Sequence, residues 1–402
     1  MDSPRRRSET SGKLLLIVLG VISMMSGFIL SIIIGRESSH LHNADLLSLT
    51  AVAMLIAAAS FYSDAIGVAP AIFEIVLGLA AAALGLHVGE PLTLLSLMGS
   101  VFLMYIAGLE IDPVLLRRNL GKSLVIGGAG FIAPLASSYA VLRLLGYSSL
   151  QAVYAGLGVS TTGVAIVYAI IKSAGLIRRR IGQVIFATAM VADVIVVLLF
   201  TFLASSRSPI MIGYFILVIV FPIVFAKIIH GLPHSSAEGE LRIILAVLIG
   251  AALVSELVGV HAILFAFILG IATRQFIHKR RIVEAKISGL TFGFLAPIFF
   301  TTAGMSAYPE NPEKSILLAL ILFAVSYPAK VLVTHTLFTI LDGFKRLRLI
   351  TIFGARLTVS TVIAFTGLKA GILPASLAGA IIISALIATI LTTIIVGASP
   401  TE

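Results

Sequence analysis

The sequence has few charged residues and contains neither cysteine nor tryptophan. Charged side chains account for 11% of its 402 residues, whereas about a quarter is usual in a soluble globular domain. So few charges cannot cover a water-facing surface, and an ordinary soluble protein is therefore excluded. The absence of cysteine excludes a disulfide framework, thiol chemistry and a cysteine-ligated metal.

Apolar residues dominate the chain instead. They make up 59% of it, the mean hydropathy is +1.13, and apolar runs of about 20 residues recur from end to end. The runs do not alternate with polar residues as barrel strands do, so they predict membrane-spanning helices. The net charge of +10 does not indicate nucleic-acid binding, because the basic residues lie in short loops between the apolar runs.

Fourteen spans are predicted, with short connections between them. They cover residues 13–34, 46–64, 70–87, 92–110, 122–145, 151–172, 181–204, 209–229, 241–257, 259–274, 288–306, 315–340, 349–371 and 374–397. The first span also resembles a secretory signal, but its length and the lack of a small-residue cleavage site favour a retained helix.

The distribution of positive charge predicts the orientation of these spans. If every span crosses and Arg5–Arg7 are cytoplasmic, 21 of the 28 Lys and Arg residues fall on the cytoplasmic side and 5 on the other. This asymmetry predicts a multi-pass protein of the cell membrane with both termini in the cytoplasm.

Two segments that are seven spans apart resemble each other. Residues 67–80 (GVAPAIFEIVLGLA) and 259–272 (GVHAILFAFILGIA) are identical at six of fourteen positions. The odd separation gives them opposite orientations, as in the inverted repeats of many secondary transporters. The predicted divisions are a cytoplasmic tail (1–12), an extra helix and loop (13–45), a first half (46–205), a second half (206–397) and a C-terminal tail (398–402).

Four ionisable residues interrupt the apolar runs. Asp193 lies near the middle of its span, where a charged side chain costs roughly 3 kcal/mol and usually serves a function. Its carboxylate can hold either H⁺ or a hard cation such as Na⁺, or it can be a structural partner of Lys330. Arg356 keeps its proton and is expected to be a structural anchor. Glu74 is its expected ion-pair partner, because an unpaired buried charge is strongly disfavoured.

The polar tract Ser160-Thr161-Thr162 lies in the middle of another span. Its hydroxyls can bond back to their own helix, or the tract can be an unwound stretch whose oxygens coordinate a cation. A polar counterpart at Arg356–Thr361 in the second half favours a pair of broken helices. Lys330 can then be a gate, a coupling charge, or an ammonium group that neutralises the ends of these helices.

Seven motifs follow one another in the order found in a known family. They are Gly67…Pro70…Glu74…Gly78, FLMYIAGLEID at 102–112, STTGVAIV at 160–167, GQVIFATAMVADV at 182–194, AFILG at 266–270, FGFLAPIFFTTAGM at 292–305, and Lys330. On these motifs the chain from residue 46 to 397 resembles the monovalent cation:proton antiporter-2 family, which comprises sodium/proton and potassium/proton exchangers.

The resemblance implies a fold and a set of site residues. The implied fold is an all-α membrane protein with two crossed, broken helices in a core domain beside a dimerisation domain. Asp193 matches the family's ion-carrying acid, and Thr161–Thr162 match its first broken helix. Lys330 matches its intramembrane lysine, and Arg356 lies in its second broken helix. The family resemblance implies no cofactor, since its small ligands are the transported Na⁺ or K⁺ and H⁺.

The sequence departs from the family pattern at two places. Ala192 stands where the family usually has Asp or Asn directly before the ion-carrying acid, and Leu357-Thr358 replaces the usual Gly-Glu. The single acid implies electroneutral exchange of one cation for one proton.

The sequence therefore predicts a transporter rather than an enzyme. The predicted protein is a homodimeric sodium/proton antiporter in which Na⁺ and H⁺ bind Asp193 in turn, with Ser160, Thr161 and Thr162 contributing oxygens. Three alternatives stay open: potassium/proton exchange, a sodium-coupled organic-anion symporter on the same inverted-repeat plan, and a channel or sensor without coupled exchange.

Overall fold

A computed structural model describes most of the chain. The described residues are 41–66, 70–164, 179–204, 236–258, 262–308 and 312–397, together with 166–167, 171, 176, 220–222 and 224–227. All secondary structure within these residues is helical. The predicted first span at 13–34 lies outside the described residues, as does most of the span predicted at 209–229.

The α-helices are numbered in chain order. They are α1 (Leu41–Ile66), α2 (Pro70–Ala83), α3 (Glu90–Glu110), α4 (Pro113–Leu144), α5 (Ser149–Ser160), α6 (Arg180–Ala204), α7 (Ala237–Val258), α8 (Ala262–Lys279), α9 (Arg281–Leu290), α10 (Ala296–Ser306), α11 (Pro312–Asp342), α12 (Leu347–Ile350), α13 (Thr358–Lys369) and α14 (Ala375–Gly397). A π-helical segment, Thr291–Leu295, joins α9 to α10, and a 3₁₀ segment, Thr351–Gly354, follows α12.

Eight of the described helical segments are long and apolar enough to cross a membrane. Helix α4 begins nine residues earlier than the apolar pattern predicts, because local hydrogen bonds start it in the preceding loop. The carboxylate of Asp112 accepts hydrogen bonds from the amides of Val114 and Leu115, and Pro113 occupies the first helical turn. A span predicted from apolar residues alone does not include this polar first turn.

One compact unit comprises Met1–Leu97 and Phe294–Ser306. Within it, α2 packs against α1 and α10, and an apolar cluster fills the space between the helices. The cluster consists of Val52, Ala81, Leu92, Ile298 and Met305.

Helices α2 and α10 approach each other through two glycines. A Cβ atom at Gly78 would overlap the carbonyl oxygen of Thr301, and one at Gly304 would overlap that of Ile75. The two backbones are therefore in direct contact, which only glycine permits at these positions.

The other compact unit comprises Met98–Gly293 and Ala307–Glu402. Helix α4 packs against α5, α6 and α11, and α14 packs against α11 and α13. A second glycine pair joins α3 to α8, since a Cβ atom at Gly108 would overlap the Phe267 carbonyl and one at Gly270 would overlap the Tyr105 carbonyl. This unit contains most of the polar residues that the sequence singled out: Ser160, Thr161, Thr162, Asp193, Lys330 and Arg356.

The glycine contact between α2 and α10 gives a stability prediction. We expect Gly78→Ala to lower the melting temperature in detergent, because overpacking a close contact costs about 1–3 kcal/mol. The matched control is Gly128→Ala in α4, where an added Cβ meets no neighbouring atom within 4 Å. Since alanine is the better helix former by about 1 kcal/mol, the control is expected to be neutral or stabilising. Equal melting temperatures for the two variants would contradict the close contact.

Candidate functional site

Two interruptions of helix lie side by side in the second unit. Helix α5 ends at Ser160, and residues 161–163 are not helical, with Thr161 extended at φ −63° and ψ 164°. The second interruption is residues 355–357, directly before α13. The amide of Gly163 donates a hydrogen bond of 2.7 Å to the carbonyl of Ala355, and the hydroxyls of Thr161 and Ser360 are 2.6 Å apart. The site thus gathers backbone groups that have no partner within a helix.

Lys330 is bound to the C-terminal end of α5. Its side chain on α11 is 1% exposed, and its ammonium donates hydrogen bonds of 2.7 Å to the Ser160 carbonyl and 2.7 Å to the Thr162 hydroxyl. It also donates to the Thr161 carbonyl. Carbonyls at a helix C-terminus carry partial negative charge, so Lys330 neutralises this end of α5. In the described part of the chain it forms no ion pair with Asp193.

Arg356 binds the same helix end from the second interruption. The residue is fully buried, and its backbone amide donates a 3.1 Å hydrogen bond to the hydroxyl of Thr389. Its guanidinium donates to three oxygens: the Val159 carbonyl, the Ser326 hydroxyl at 2.7 Å and the Ser384 hydroxyl at 3.2 Å. The expected ion pair with Glu74 stays a prediction, because Glu74 is a buried residue of the other unit.

Asp193 lies on α6 beside the first interruption. It is 3% exposed, and its Oδ1 accepts a hydrogen bond of 3.2 Å from the amide of Thr162. Thr162 therefore contacts both charged groups, since its amide donates to Asp193 while its hydroxyl accepts from Lys330. The predicted Asp193, Thr161–Thr162 tract and Lys330 are thus brought together by these contacts, with Ser160 at the helix end.

A cavity of about 80 Å³ adjoins Asp193. A water molecule needs only about 10–15 Å³ by this measure, so there is room for a small cation with some of its water. The wall includes Asp193, Glu110, Thr161, Thr162, Gly163 and Thr358, with apolar side chains that include Leu103, Ile106, Val164, Phe292 and Leu357. Carboxylate and hydroxyl oxygens are the hard ligands that such cations prefer.

Glu110 is the site residue that the sequence did not single out. It is the last residue of α3 and lies in the motif FLMYIAGLEID, where an acid at the end of an apolar helix is unremarkable. Glu110 thus places a second carboxylate in the wall of the cavity that Asp193 lines. Among the described residues, no group of three or more His, Asp or Glu side chains could hold a metal ion.

The contacts of Lys330 predict a large effect on stability. We expect Lys330→Leu to lower the melting temperature strongly, because each buried acceptor that loses its donor costs about 1–3 kcal/mol. The matched control is Lys286→Leu, since Lys286 pairs with Glu238 at the surface, where such a pair contributes about 1 kcal/mol or less. A control that is destabilised as much as Lys330→Leu would contradict the capping role.

Comparisons with known proteins place this chain in a family. The chain is 30% identical over 295 residues to the probable Na⁺/H⁺ antiporter GerT of Bacillus cereus, which covers 69% of this chain and 78% of that protein. It is 28% identical over 319 residues to the Na⁺/H⁺-K⁺ antiporter GerN of Bacillus cereus, with coverages of 75% and 82%.

A solved structure has the same fold. The sodium proton antiporter MjNhaP1 from Methanocaldococcus jannaschii superposes with a TM-score of 0.59 over 87% of this chain and 96% of that chain, at 17% identity. The sequence profile of the family described as sodium/hydrogen exchanger, transmembrane, matches residues 51–399. Because this match spans most of the sequence, the chain belongs to the sodium/hydrogen exchanger family.

Proposed function

We propose that this protein is a secondary active antiporter that exchanges Na⁺ for H⁺ at Asp193. The observation that carries the proposal is the position of Asp193, a buried carboxylate at a helix interruption that lines a cavity. The names of two relatives, the probable Na⁺/H⁺ antiporter GerT and the Na⁺/H⁺-K⁺ antiporter GerN, support the same chemistry.

The exchange follows from competition for one carboxylate. A proton and a hard cation both need the negative charge of Asp193, so binding of one excludes the other. Lys330 is bound to helix carbonyls rather than to Asp193, which leaves this carboxylate to the transported ions. Alternating exposure of the cavity to the two sides of the membrane then couples the downhill movement of one ion to the uphill movement of the other.

Glu110 supports cation binding in the same cavity. Glu110 lies on α3, so its carboxylate oxygens reach the cavity from a different helix than the hydroxyls of Thr161 and Thr162. Ser160 lies at the end of α5, and its carbonyl accepts from Lys330. The cation ligands that we propose are therefore Asp193, Glu110 and the two threonines, with Lys330 and Arg356 holding the helix end in place.

The proposed architecture has fourteen spans in two inverted halves, 46–205 and 206–397, with both termini in the cytoplasm of a cell-membrane homodimer. Two structural correspondences between the halves support the inverted repeat. Gly78 and Gly270 occupy the same position in the repeated segments, and each makes a backbone contact with another glycine-bearing helix.

The second correspondence lies at the helix interruptions. At the first, the amide of Thr162 donates to Asp193 on α6. At the second, the amide of Arg356 donates to Thr389 on α14. The same kind of contact in both halves supports an inverted repeat in which one half carries the acid and the other a hydroxyl.

Potassium is the second candidate cation. GerN is named a Na⁺/H⁺-K⁺ antiporter, and carboxylate and hydroxyl oxygens bind either ion. The choice between Na⁺ and K⁺ depends on the spacing of these oxygens in the loaded state.

A transport assay tests the proposal. In liposomes with an internal pH dye, we expect wild-type protein to move protons when Na⁺ or Li⁺ is added, and Asp193→Asn to abolish this flux. The control is Glu238→Gln, an exposed carboxylate paired with Lys286, which should transport like wild type. The mechanism would be overturned if the wild-type protein moved no protons with Na⁺, Li⁺ or K⁺. It would also be overturned if Asp193→Asn moved protons as fast as wild type.

The charge balance is tested under an imposed membrane potential. With Ala192 before Asp193, we expect one cation to exchange for one proton, so the initial rate should be the same at either polarity. A rate that follows the potential would contradict electroneutral exchange. If Glu110→Gln then removed the voltage dependence, Glu110 would be the carrier of the second proton.

A further inference from the structure

Helices α3 and α8 are joined at three points along the last turns of α3. The first is the backbone contact between Gly108 and Gly270. The second is a hydrogen bond of 3.0 Å between the hydroxyls of Tyr105 and Thr273. The third is made by Arg274, the next residue of α8.

Arg274 contacts the chain both before and after Glu110, a residue of the cavity wall. Its Nε donates a 2.9 Å hydrogen bond to the carbonyl of Leu109, and its Nη1 lies 2.8 Å from Oδ2 of Asp112. Glu110 and Ile111 lie between Leu109 and Asp112 in the chain, and Glu110 lines the cavity with Asp193. Arg274 itself is not among the residues that line this cavity in the described part of the chain.

Asp112 is fixed at the N-terminus of α4. Its other oxygen, Oδ1, accepts hydrogen bonds of 2.9 Å and 3.0 Å from the amides of Val114 and Leu115. Partial burial raises the pKa of Asp112, but the Leu115 amide and Arg274 outweigh burial and hold the pKa below its usual value. The carboxylate is therefore ionised at neutral pH, and the bridge ties the start of α4 and the end of α3 to α8.

We propose that Arg274 is a positioning residue for cation binding, which fixes Glu110 in the cavity of Asp193 by bridging Leu109 and Asp112. The inference rests on the proposed function, because it gives Glu110 a share in binding the transported cation. A ligand that enters a cation site from a helix end needs a support that limits its movement, and loss of such supports weakens cation binding about 10–100-fold.

The test compares apparent affinities for Na⁺ in the liposome assay. Arg274→Gln is expected to raise the apparent KM for Na⁺ about tenfold and to leave the maximal rate nearly unchanged. Glu110→Gln should raise the KM in the same direction. In the double variant the Arg274 substitution should add nothing further, because its effect passes through Glu110.

Two more variants separate positioning from a general effect on folding. Arg274→Lys can make one of the two contacts and should restore part of the affinity. Asp112→Asn keeps the shape of the helix cap but removes the charge, so it should raise the KM like Arg274→Gln, and again only when Glu110 is present. The matched control is Arg280→Gln, just beyond the end of α8, whose partner is Glu240 and which should leave the KM unchanged.

The outcomes distinguish the two proposals. Three results would overturn the role of Arg274 while leaving antiport intact. The effects of Arg274→Gln and Glu110→Gln on the KM could add in the double variant, or Arg274→Gln could lower the maximal rate without changing the KM. The third such result is an unchanged KM in Glu110→Gln. Wild-type protein without cation-driven proton movement would overturn both.

Discussion

The structure of the site depends on how the interrupted end of α5 is stabilised. A helix that stops inside a membrane leaves carbonyls without partners where water is scarce, and an unpaired carbonyl there is strongly unfavourable. Lys330 and Arg356 supply the missing donors. They donate hydrogen bonds to the carbonyls of Val159 and Ser160 at the end of α5 and of Thr161 directly after it. Two buried cations and one helix end thus stabilise each other, since each would be destabilising alone.

This arrangement also determines the surroundings of Asp193, the residue at which we propose that the ion binds. Since the ammonium of Lys330 is held by carbonyls, Asp193 interacts with it through Thr162 rather than through a direct ion pair. One residue, Thr162, therefore lies between the carboxylate that we propose binds the ion and the cation that stabilises the helix. Thr162 connects Asp193 with the helix end, through its backbone amide on one side and its hydroxyl on the other.

The sequence predicted those parts of the site that depend on depth in the membrane. Asp193 and Lys330 are conspicuous because charge is rare in apolar runs, and the interruption at Thr161 is signalled by polar residues in mid-span. Glu110 and Arg274 could not be found in this way, because charged residues are ordinary at helix ends. For Lys330, neutralisation of a helix end was one of three roles that the sequence left open. The sequence could not choose among them, since an apolar pattern gives depth and not the neighbour across a helix contact.

The two glycine pairs set how closely their helices approach each other. At Gly78 and Gly304, and at Gly108 and Gly270, backbone contacts backbone with no side chain between the helices. Shear is a small sliding of packed helices past one another, and no interlocked side chains oppose it at these contacts. Movement of α2 against α10, or of α3 against α8, can therefore proceed along the contact or away from it but not toward it, because the backbones already touch.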